Sequence, residues 1–297
     1  MQDLKSAFVA IVGKPNVGKS SLMNAMLGEK VAIVANKPQT TRTRITGVLT
    51  REATQFVFID TPGLHKPKNK LSEHMVKNVN DSVNDVDVIM LVTEPFGDPN
   101  NEELKLIKSF KALGIPVILV INKIDKLKNK EDMLDKINVM SELYSFSEVV
   151  PVSALENDGI ELLLDTLDSN AQKSVHFFPD DTLTDQPERV IAAELIREKI
   201  LLLMREEIPH GVVVVIEKMR ERENKHIIDI DAEIYCEKSN HKGMIIGKGG
   251  EMLKRIASLA REDIEAFLDC KVNLKCWVKV KEDWRNKEAF IKNFGLD

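Results

Sequence analysis

The sequence predicts an α/β domain built on a doubly wound, mostly parallel sheet, followed by a smaller α+β domain. Three observations carry this. Nearly continuous apolar runs alternate with segments whose apolar residues recur at three- and four-residue steps, the pattern of parallel strands covered on both faces by helices. The glycine-rich stretch GKPNVGKSS, Gly13 to Ser21, follows the first apolar run and opens the first helical segment. Near Ala171 to Asp180 the period breaks in a proline- and aspartate-rich stretch, and a different order of elements follows. Residues 1–172 form the expected first domain, 173–187 a linker and 188–297 the second domain, a division that suits 297 residues because one core seldom grows beyond about 250.

Composition narrows the class. With 43% hydrophobic and 30% charged residues the chain reads as soluble and globular, and a cytoplasmic monomer is expected. Apolar runs stay well short of the roughly 20 residues of a membrane span, and the N-terminus shows no signal-peptide pattern. Cys236, Cys270 and Cys276 match neither a disulfide framework nor a metal pair and read as inert apolar fillers. Net charge is -5, yet residues 241–281 hold nine basic against five acidic residues, so one segment suits a polyanion.

In the first domain, Ala7 to Val12 (AFVAIV) is a buried strand and Ser20 to Leu27 has helical spacing. Strand, loop and helix thus come in the order a phosphate-binding loop requires. Gly13 and Gly18 allow the loop Lys14, Pro15, Asn16 and Val17 to aim backbone N–H groups at an anion, and the helix N-terminus adds partial positive charge. Lys19 would reach the β- and γ-phosphates and the Ser20 hydroxyl would coordinate Mg2+. Gly28 to Arg44 reads as a loop before the strand Ile45 to Leu49; its Thr40 or, preferably, Thr41 could add a second metal ligand and sense the γ-phosphate.

The strand Gln55 to Ile59 runs into Asp60-Thr61-Pro62-Gly63. Asp60 is placed to hold Mg2+, usually through water, and the Gly63 N–H to meet the γ-phosphate. Leu64 to Lys70 is expected as a loose switch segment. Val86 to Val92 and Ile115 to Ile121 are further strands, separated by helical Asn101 to Leu113 and followed by Glu131 to Tyr144. Right-handed crossovers put the ligand at the carboxyl ends of these strands.

There lies Asn122-Lys123-Ile124-Asp125. A carboxylate at Asp125 can accept from both N1–H and the 2-amino group of guanine, a pattern adenine lacks. Asn122 would tie the loop together and contact the purine, with the Lys123 stem along the ring. The strand Glu148 to Val152 delivers Ser153-Ala154, whose Ala154 N–H could donate to guanine O6.

GKPNVGKS, TT, DTPG and NKID, in this order, resemble a translation-factor-class GTPase domain. An ATP-using P-loop kinase would have no reason to carry NKID at a strand end. One departure from the Ras-like pattern is Leu64, at the position of the glutamine that orients attacking water. The resemblance then implies slow intrinsic hydrolysis, with Lys19, Thr41 and Gly63 as the catalytic contacts.

In the second domain, helix resumes at Glu188 to Glu207, and Gly211 to Glu217 and His226 to Tyr235 read as a hairpin. His241 to Ile256 (HKGMIIGKGGEMLKRI) then places Gly247-Lys248-Gly249-Gly250 between two helices, the second running to about Leu268, before the strand Val272 to Val280. The loop fits the G-x-x-G of a KH domain, and the element order is the type II KH arrangement. Glycines let a phosphate backbone approach, Lys248 supplies charge, Met244, Ile245 and Ile246 could line a groove for unstacked bases, and Lys242, Lys254 and Arg255 extend the field. Trp284 to Phe294 is the last helix, expected to pack on this domain.

Over nearly the whole chain the sequence resembles the Era family, through PNVGKSSLMN, PQTTRTR, DTPGLHKPK, NKID, PDDTLTDQPER, IREK, IIGKGG and WVKVK. The resemblance implies a GTP-hydrolysing switch with GTP or GDP and Mg2+, binding the 3' end of 16S ribosomal RNA in assembly of the small ribosomal subunit. It also implies loose association with the inner face of the cell membrane. Related GTPases with an asparagine at the place of Asn16 use K+ there. A different class stays open at this stage: an RNA-binding module whose nucleotide site is structural and scarcely turns over.

Overall fold

The computed structural model describes residues 3–35, 37, 39–63, 69–83, 85–205, 208–223 and 226–296, with the side chains at 80 and 130 excepted. By its internal contacts the chain forms two units, one of Met1–Ala32, Thr41–Lys68 and Ser72–Asp185, the other of Ile33–Thr40, Asn69–Leu71 and Gln186–Asp297.

In the first unit, β1 (Lys5–Gly13), β2 (Ile45–Arg51), β3 (Thr54–Asp60), β4 (Val88–Thr93), β5 (Val117–Asn122) and β6 (Glu148–Val152) lie in the order β2-β3-β1-β4-β5-β6. All neighbours are parallel except β2, which pairs antiparallel with β3; a two-residue strand, β7 (Gln172–Lys173), pairs antiparallel with the start of β1. Alternate residues of β1 serve two cores. Ala7, Val9 and Ile11 pack with Leu22 and Met23 of α1 (Lys19–Leu27) and with Leu163 and Leu167 of α5 (Ile160–Asn170). Ala10 and Val12 face Val79 of α2 (Lys70–Ser82), Leu106 and Phe110 of α3 (Asn101–Leu113) and Met140 of α4 (Lys130–Leu143). Burial on both faces explains why these strands are apolar almost without interruption. It also leaves their carboxyl ends free to carry the loops.

Two helices were not anticipated. Lys70, expected in a loose segment, instead opens α2, whose Leu71, Met75 and Val79 are buried at four-residue steps. α5 buries Ile160, Leu163, Leu164 and Leu167. The stretch expected as a linker is bonded to the first unit as far as Thr184: Gln55 Oε1 accepts from the N–H groups of Phe177 and Phe178, Leu183 O accepts from Val48 N–H, and Thr184 Oγ1 donates to Thr46 O. A phenylalanine pair, Phe8 with Phe177 at 5.0 Å, completes the seam.

In the second unit, α6 (Glu188–Leu203) and α8 (Glu251–Leu268) pack on one face of a three-stranded sheet of β8 (Val213–Glu221), β9 (Ile227–Cys236) and β10 (Lys271–Val280). The order is β10-β9-β8, with β9 and β10 parallel and β8 and β9 antiparallel, the hairpin being irregular at Glu217. Between β9 and α8 comes α7 (Ser239–Ile246). The described part of α6 ends at Leu203, short of the expected Glu207, which lies outside the described residues. The last helix is a 3-10 turn, Trp284–Asn286, followed by α9 (Glu288–Asn293). Trp284 is fully buried, donates from Nε1 to Gly211 O at 3.0 Å and meets Phe294 edge-on, so this segment packs on the second unit as expected.

Candidate functional site

The loop between β1 and α1 is shaped by glycine at points where no other residue fits. At Gly13 a Cβ would lie 2.2 Å from Val92 O, and at Gly18, with φ +97°, it would lie 2.3 Å from Asn122 Nδ2. The phosphate loop is therefore pressed against the ends of β4 and β5. With Val17 in the core, the exposed Asn16 adopts a left-handed φ of 65° and its carbonyl accepts from Lys123 Nζ. Lys14 bridges Asp98 O at 2.7 Å and Glu103 Oε2 at 2.8 Å, tying the loop to the capped start of α3.

Lys19 is buried, and its ammonium donates to Lys14 O at 3.0 Å and Gly13 O at 3.3 Å. Burial lowers its pKa to about 8, against the raising influence of Asp60 and Glu103. Burial likewise pushes the Asp60 carboxyl up, against the Lys19 charge and the Ser20 and Thr41 hydroxyls. Three oxygens converge here: Ser20 Oγ donates to Asp60 Oδ2 at 2.6 Å, and Thr41 Oγ1 lies 3.0 Å from Ser20 Oγ and 3.3 Å from Asp60 Oδ2. Asp60 Oδ1 is buried without a hydrogen-bond partner. Two hydroxyls, a carboxylate and an unsatisfied carboxylate oxygen form a hard-oxygen set that fits Mg2+. Thr41, chosen over Thr40, is the threonine that reaches this corner.

Thr61 donates its hydroxyl to Ile11 O at 2.8 Å and is fully buried, and Pro62 is buried beside it. Gly63 passes so near the loop that a Cβ would lie 2.6 Å from Pro15 Cα. Leu64, and the expected switch segment as far as Lys68, lie outside the described residues.

At the far end of the cleft Asn122, 1% exposed, binds three segments together: Nδ2 donates to Val17 O at 2.9 Å, and Oδ1 accepts from Lys123 N–H at 2.8 Å and Ala154 N–H at 3.1 Å. The Ala154 N–H assigned to guanine O6 is thus engaged by Asn122 in this structure. Asp125 is exposed, and its Oδ1 accepts from Ser153 Oγ at 2.6 Å. That bond aims the carboxylate. Lys123 is further steadied by Glu94, a contact no sequence pattern announced.

In the second unit, Gly247 takes φ 75°, ψ 176°, a conformation open only to glycine, and a Cβ there would lie 2.7 Å from Met252 Cβ. Gly249 and Gly250 have φ of +62° and +84° with open space where a side chain would stand. Lys248, Lys254 and Arg255 are exposed and Lys242 half-buried. Ile245 does not line a groove: it is fully buried among Ile256, Ala260 and Ile234, because its face of α7 is the one turned to the sheet. Ile246 is half-buried and Met244 exposed. Burial raises the Cys276 thiol to about 12, which fits its reading as an inert filler.

The lowered pKa of Lys19 gives a testable pH dependence. With its pKa lowered to about 8 the amine loses its proton as the pH rises through that value, whereas a bound polyphosphate favours the ammonium, so binding there should take up a proton. The Kd for GDP should be flat below pH 7.5 and rise toward pH 9, by at most about tenfold per unit. Calorimetry at pH 8.5 in two buffers of different ionisation enthalpy should register proton uptake. A pH-independent Kd without uptake would show that Lys19 stays charged when the site is empty.

Two family models match the chain: "50S ribosome-binding GTPase" over residues 8–123 and "KH domain" over residues 207–285. GTPase Era of Clostridioides difficile (strain 630) is 50% identical over 293 residues, 99% of each chain. GTPase Era of Ruminiclostridium cellulolyticum is 49% identical, over 98% of this chain and 97% of that one. Among solved structures, Era in complex with MgGDPNP and nucleotides 1506-1542 of 16S ribosomal RNA matches with a TM-score of 0.94 and 38% identity over 99% of both chains. A variant of Aquifex aeolicus Era bound to GDP.AlF4- matches with a TM-score of 0.95, also at 38% identity over 99% of both chains. With identity near one half along its full length, and with both the phosphate cleft and the G-x-x-G unit in place, this chain belongs to the Era family of GTPases.

Proposed function

We propose that the protein is a GTP-hydrolysing switch that binds the 3' end of 16S ribosomal RNA and acts in assembly of the small ribosomal subunit. The observation that carries it is that one chain joins buried Lys19, the Ser20–Thr41–Asp60 corner and the Asn122 and Asp125 loop with a G-x-x-G unit. The relative solved with MgGDPNP and 16S ribosomal RNA supports both ligands.

In this reading GTP lies along the carboxyl ends of β1, β3, β4 and β5. The carboxylate of Asp125, aimed by Ser153, accepts from the guanine edge, while Asn122 fixes the reading loop against the phosphate loop. N–H groups of the loop from Gly13 to Ser20 surround the phosphates, and Lys19 exchanges its carbonyl partners for β- and γ-phosphate oxygens. Mg2+, when bound, draws charge from the β- and γ-phosphates. Ser20, Thr41 and Asp60 are the residues that would hold it. The Gly63 N–H takes the γ-phosphate side. Hydrolysis is an in-line attack of water on the γ-phosphorus, breaking the bond to the β–γ bridging oxygen and leaving GDP and phosphate.

Single-stranded RNA is held by the loop of Gly247, Lys248, Gly249 and Gly250, with Lys242, Ile246, Lys254 and Arg255 around it. For membrane association, the described residues offer no helix long and apolar enough to cross a bilayer, and α9 packs Ile291 into the domain core. Any peripheral contact would therefore be a surface one, and the cytoplasm is the compartment proposed.

Three outcomes test the reading. Asp125→Asn should move preference from GTP toward xanthosine triphosphate, which offers an acceptor where guanine offers a donor; sites of this kind discriminate by roughly 10^4. A variant that keeps the original GTP preference would show that another group reads the base. Gly249→Asp should abolish binding of a 16S 3'-end oligonucleotide and keep GTP affinity, since aspartate tolerates the left-handed φ there while its charge repels phosphate. Unchanged RNA affinity would place the RNA elsewhere. Hydrolysis should be faster in KCl than in NaCl at matched ionic strength, the Asn16 carboxamide holding K+ near the phosphates and supplying part of a stabilisation commonly about 3 kcal/mol per well-placed group. Asn16→Ala should remove that difference, and equal rates in the wild type would exclude the cation.

A further inference from the structure

Glu94 directly follows β4 in the first unit, and the mechanism above leaves its carboxylate without a task. Its Oε1 meets the Lys123 ammonium at 2.5 Å, the two side chains being 41% and 19% exposed. The same ammonium donates to the Asn16 carbonyl of the phosphate loop. On the way there the lysine stem passes close to that loop, for a Cβ built on Gly18 would lie 3.8 Å from Lys123 Cε. Lys123 thus starts in the loop that carries Asp125, crosses the phosphate loop and ends on Glu94.

An ordinary surface ion pair joins two mobile side chains and adds little to a fold. Here both partners are anchored. The loop that follows Glu94 is held at Gly97 O by Lys136 Nζ of α4 at 2.6 Å and at Asp98 O by Lys14 Nζ at 2.7 Å, and it closes in the capping box of Asn100 and Glu103 at the start of α3. Pro95, beside the acid, is buried. Lys123 takes a left-handed φ of 69°, uncommon for a residue other than glycine, and its N–H donates to Asn122 Oδ1 at 2.8 Å. The carbonyl it grips belongs to Asn16, left-handed as well at φ 65°. Backbones of this kind persist where the surroundings over-determine them, and the Lys123 ammonium, shared by Glu94 and Asn16 O, ties the two together.

We propose that Glu94 is a positioning residue for guanine nucleotides: by holding the Lys123 ammonium against Asn16 O it keeps the lysine stem on the face of the base, and so sets how fast a bound nucleotide leaves. This rests on the reading of the cleft as a guanine-nucleotide site, in which the apolar stem of Lys123 lies along the ring. The contact touches neither the Ser20–Thr41–Asp60 corner nor the Gly63 side of the γ-phosphate. It therefore acts alike on GDP, on GTP and on the transition state. Uniform binding of that kind shows in affinity and dissociation and leaves the chemical step alone.

The test uses the full chain and compares wild type, Glu94→Gln, Lys123→Met and the double variant, in NaCl so that the K+ proposed at Asn16 does not enter. Dissociation of fluorescent GDP and of a fluorescent non-hydrolysable GTP analogue is followed by stopped flow, and GTP hydrolysis is measured in single turnover with the protein in saturating excess. Glu94→Gln should release both nucleotides faster by about fivefold, the upper scale of a partly exposed ion pair. Its single-turnover rate should stay within about twofold of wild type, because the binding lost is uniform. Raising the ionic strength should narrow the gap in dissociation between wild type and Glu94→Gln, a response of screened charge that a merely structural defect would not give.

Because Glu94 acts through the Lys123 ammonium, adding Glu94→Gln to Lys123→Met should bring no further loss. Full multiplication of the two effects, or dissociation from Glu94→Gln at or below the wild-type rate, overturns the proposal. So does a single-turnover rate that falls in step with the faster release, since the acid would then serve the chemical step. If Glu94→Gln fails to fold, Glu94→Asp replaces it, which keeps the charge and draws the carboxylate back by one carbon; faster release is again expected, and a wild-type rate overturns the proposal equally. A wild type that binds neither GDP nor the GTP analogue would refute the reading of the cleft itself, before any variant is compared.

Discussion

The side chain of Asn122 is the constraint on which the first unit's cleft depends. Buried at the end of β5, it holds the phosphate loop by Val17 O, its own turn by Lys123 N–H and the turn after β6 by Ala154 N–H. Three strand ends are thereby fixed by one residue, and a buried amide whose hydrogen bonds are met stabilises each of them by about 1 kcal/mol. The glycine at position 18 follows from the same fact, because a Cβ there would strike Asn122 Nδ2 at 2.3 Å. Base reading and phosphate binding are usually described as separate tasks. In the proposed function they share an atom group, the Asn122 carboxamide.

A second constraint is electrostatic. Lys19 and Asp60 are both fully enclosed, and each is pushed by burial toward its neutral form, the lysine down to about 8 and the carboxyl up. They are kept from neutralising fully by one another and by the hydroxyls of Ser20 and Thr41. A site so arranged is short of both negative and positive partners at once, and a metal polyphosphate supplies both. Asp60 Oδ1, buried without a hydrogen-bond partner among the described residues, marks the point where a cation would be met.

The sheet of the first unit and its phosphate loop were legible because their signals are local and strong: apolar runs, glycines at fixed spacing, a carboxylate at a strand end. The second unit was legible through its order of elements. Other parts were hidden for physical reasons. The charged run before α2 masked Leu71, Met75 and Val79, which do repeat at four-residue steps. Ile245 looked available to a ligand because a glycine loop follows it, but helix phase turns it to the core. The stretch 173–187 read as a linker from its prolines and aspartates, whereas Gln55, a lone buried amide on β3, supplies the bonds that hold Phe177 and Phe178. Glu94 was the hardest. A carboxylate just past a strand end ordinarily faces water, and only its three-dimensional partner, Lys123, reveals otherwise.

Among the described residues the sheet of the second unit ends in β10, with no strand paired on its outer edge. Such an edge is a template on which another copy of the chain could lay a strand, the first step toward fibrils. Along β10, Lys275 and Lys279 share a face, Lys279 pairing with Glu233 of β9; Lys271 pairs with Glu265 of α8 at 3.5 Å, and Lys281 stands just beyond the strand. Charged side chains, lysine above all, along an edge strand disfavour such pairing. Lysine here does what a covering helix does elsewhere, and it leaves the edge open to a polyanion while closing it to the chain's own kind. The edge can thus stay uncovered without inviting a second copy of the chain to pair on it.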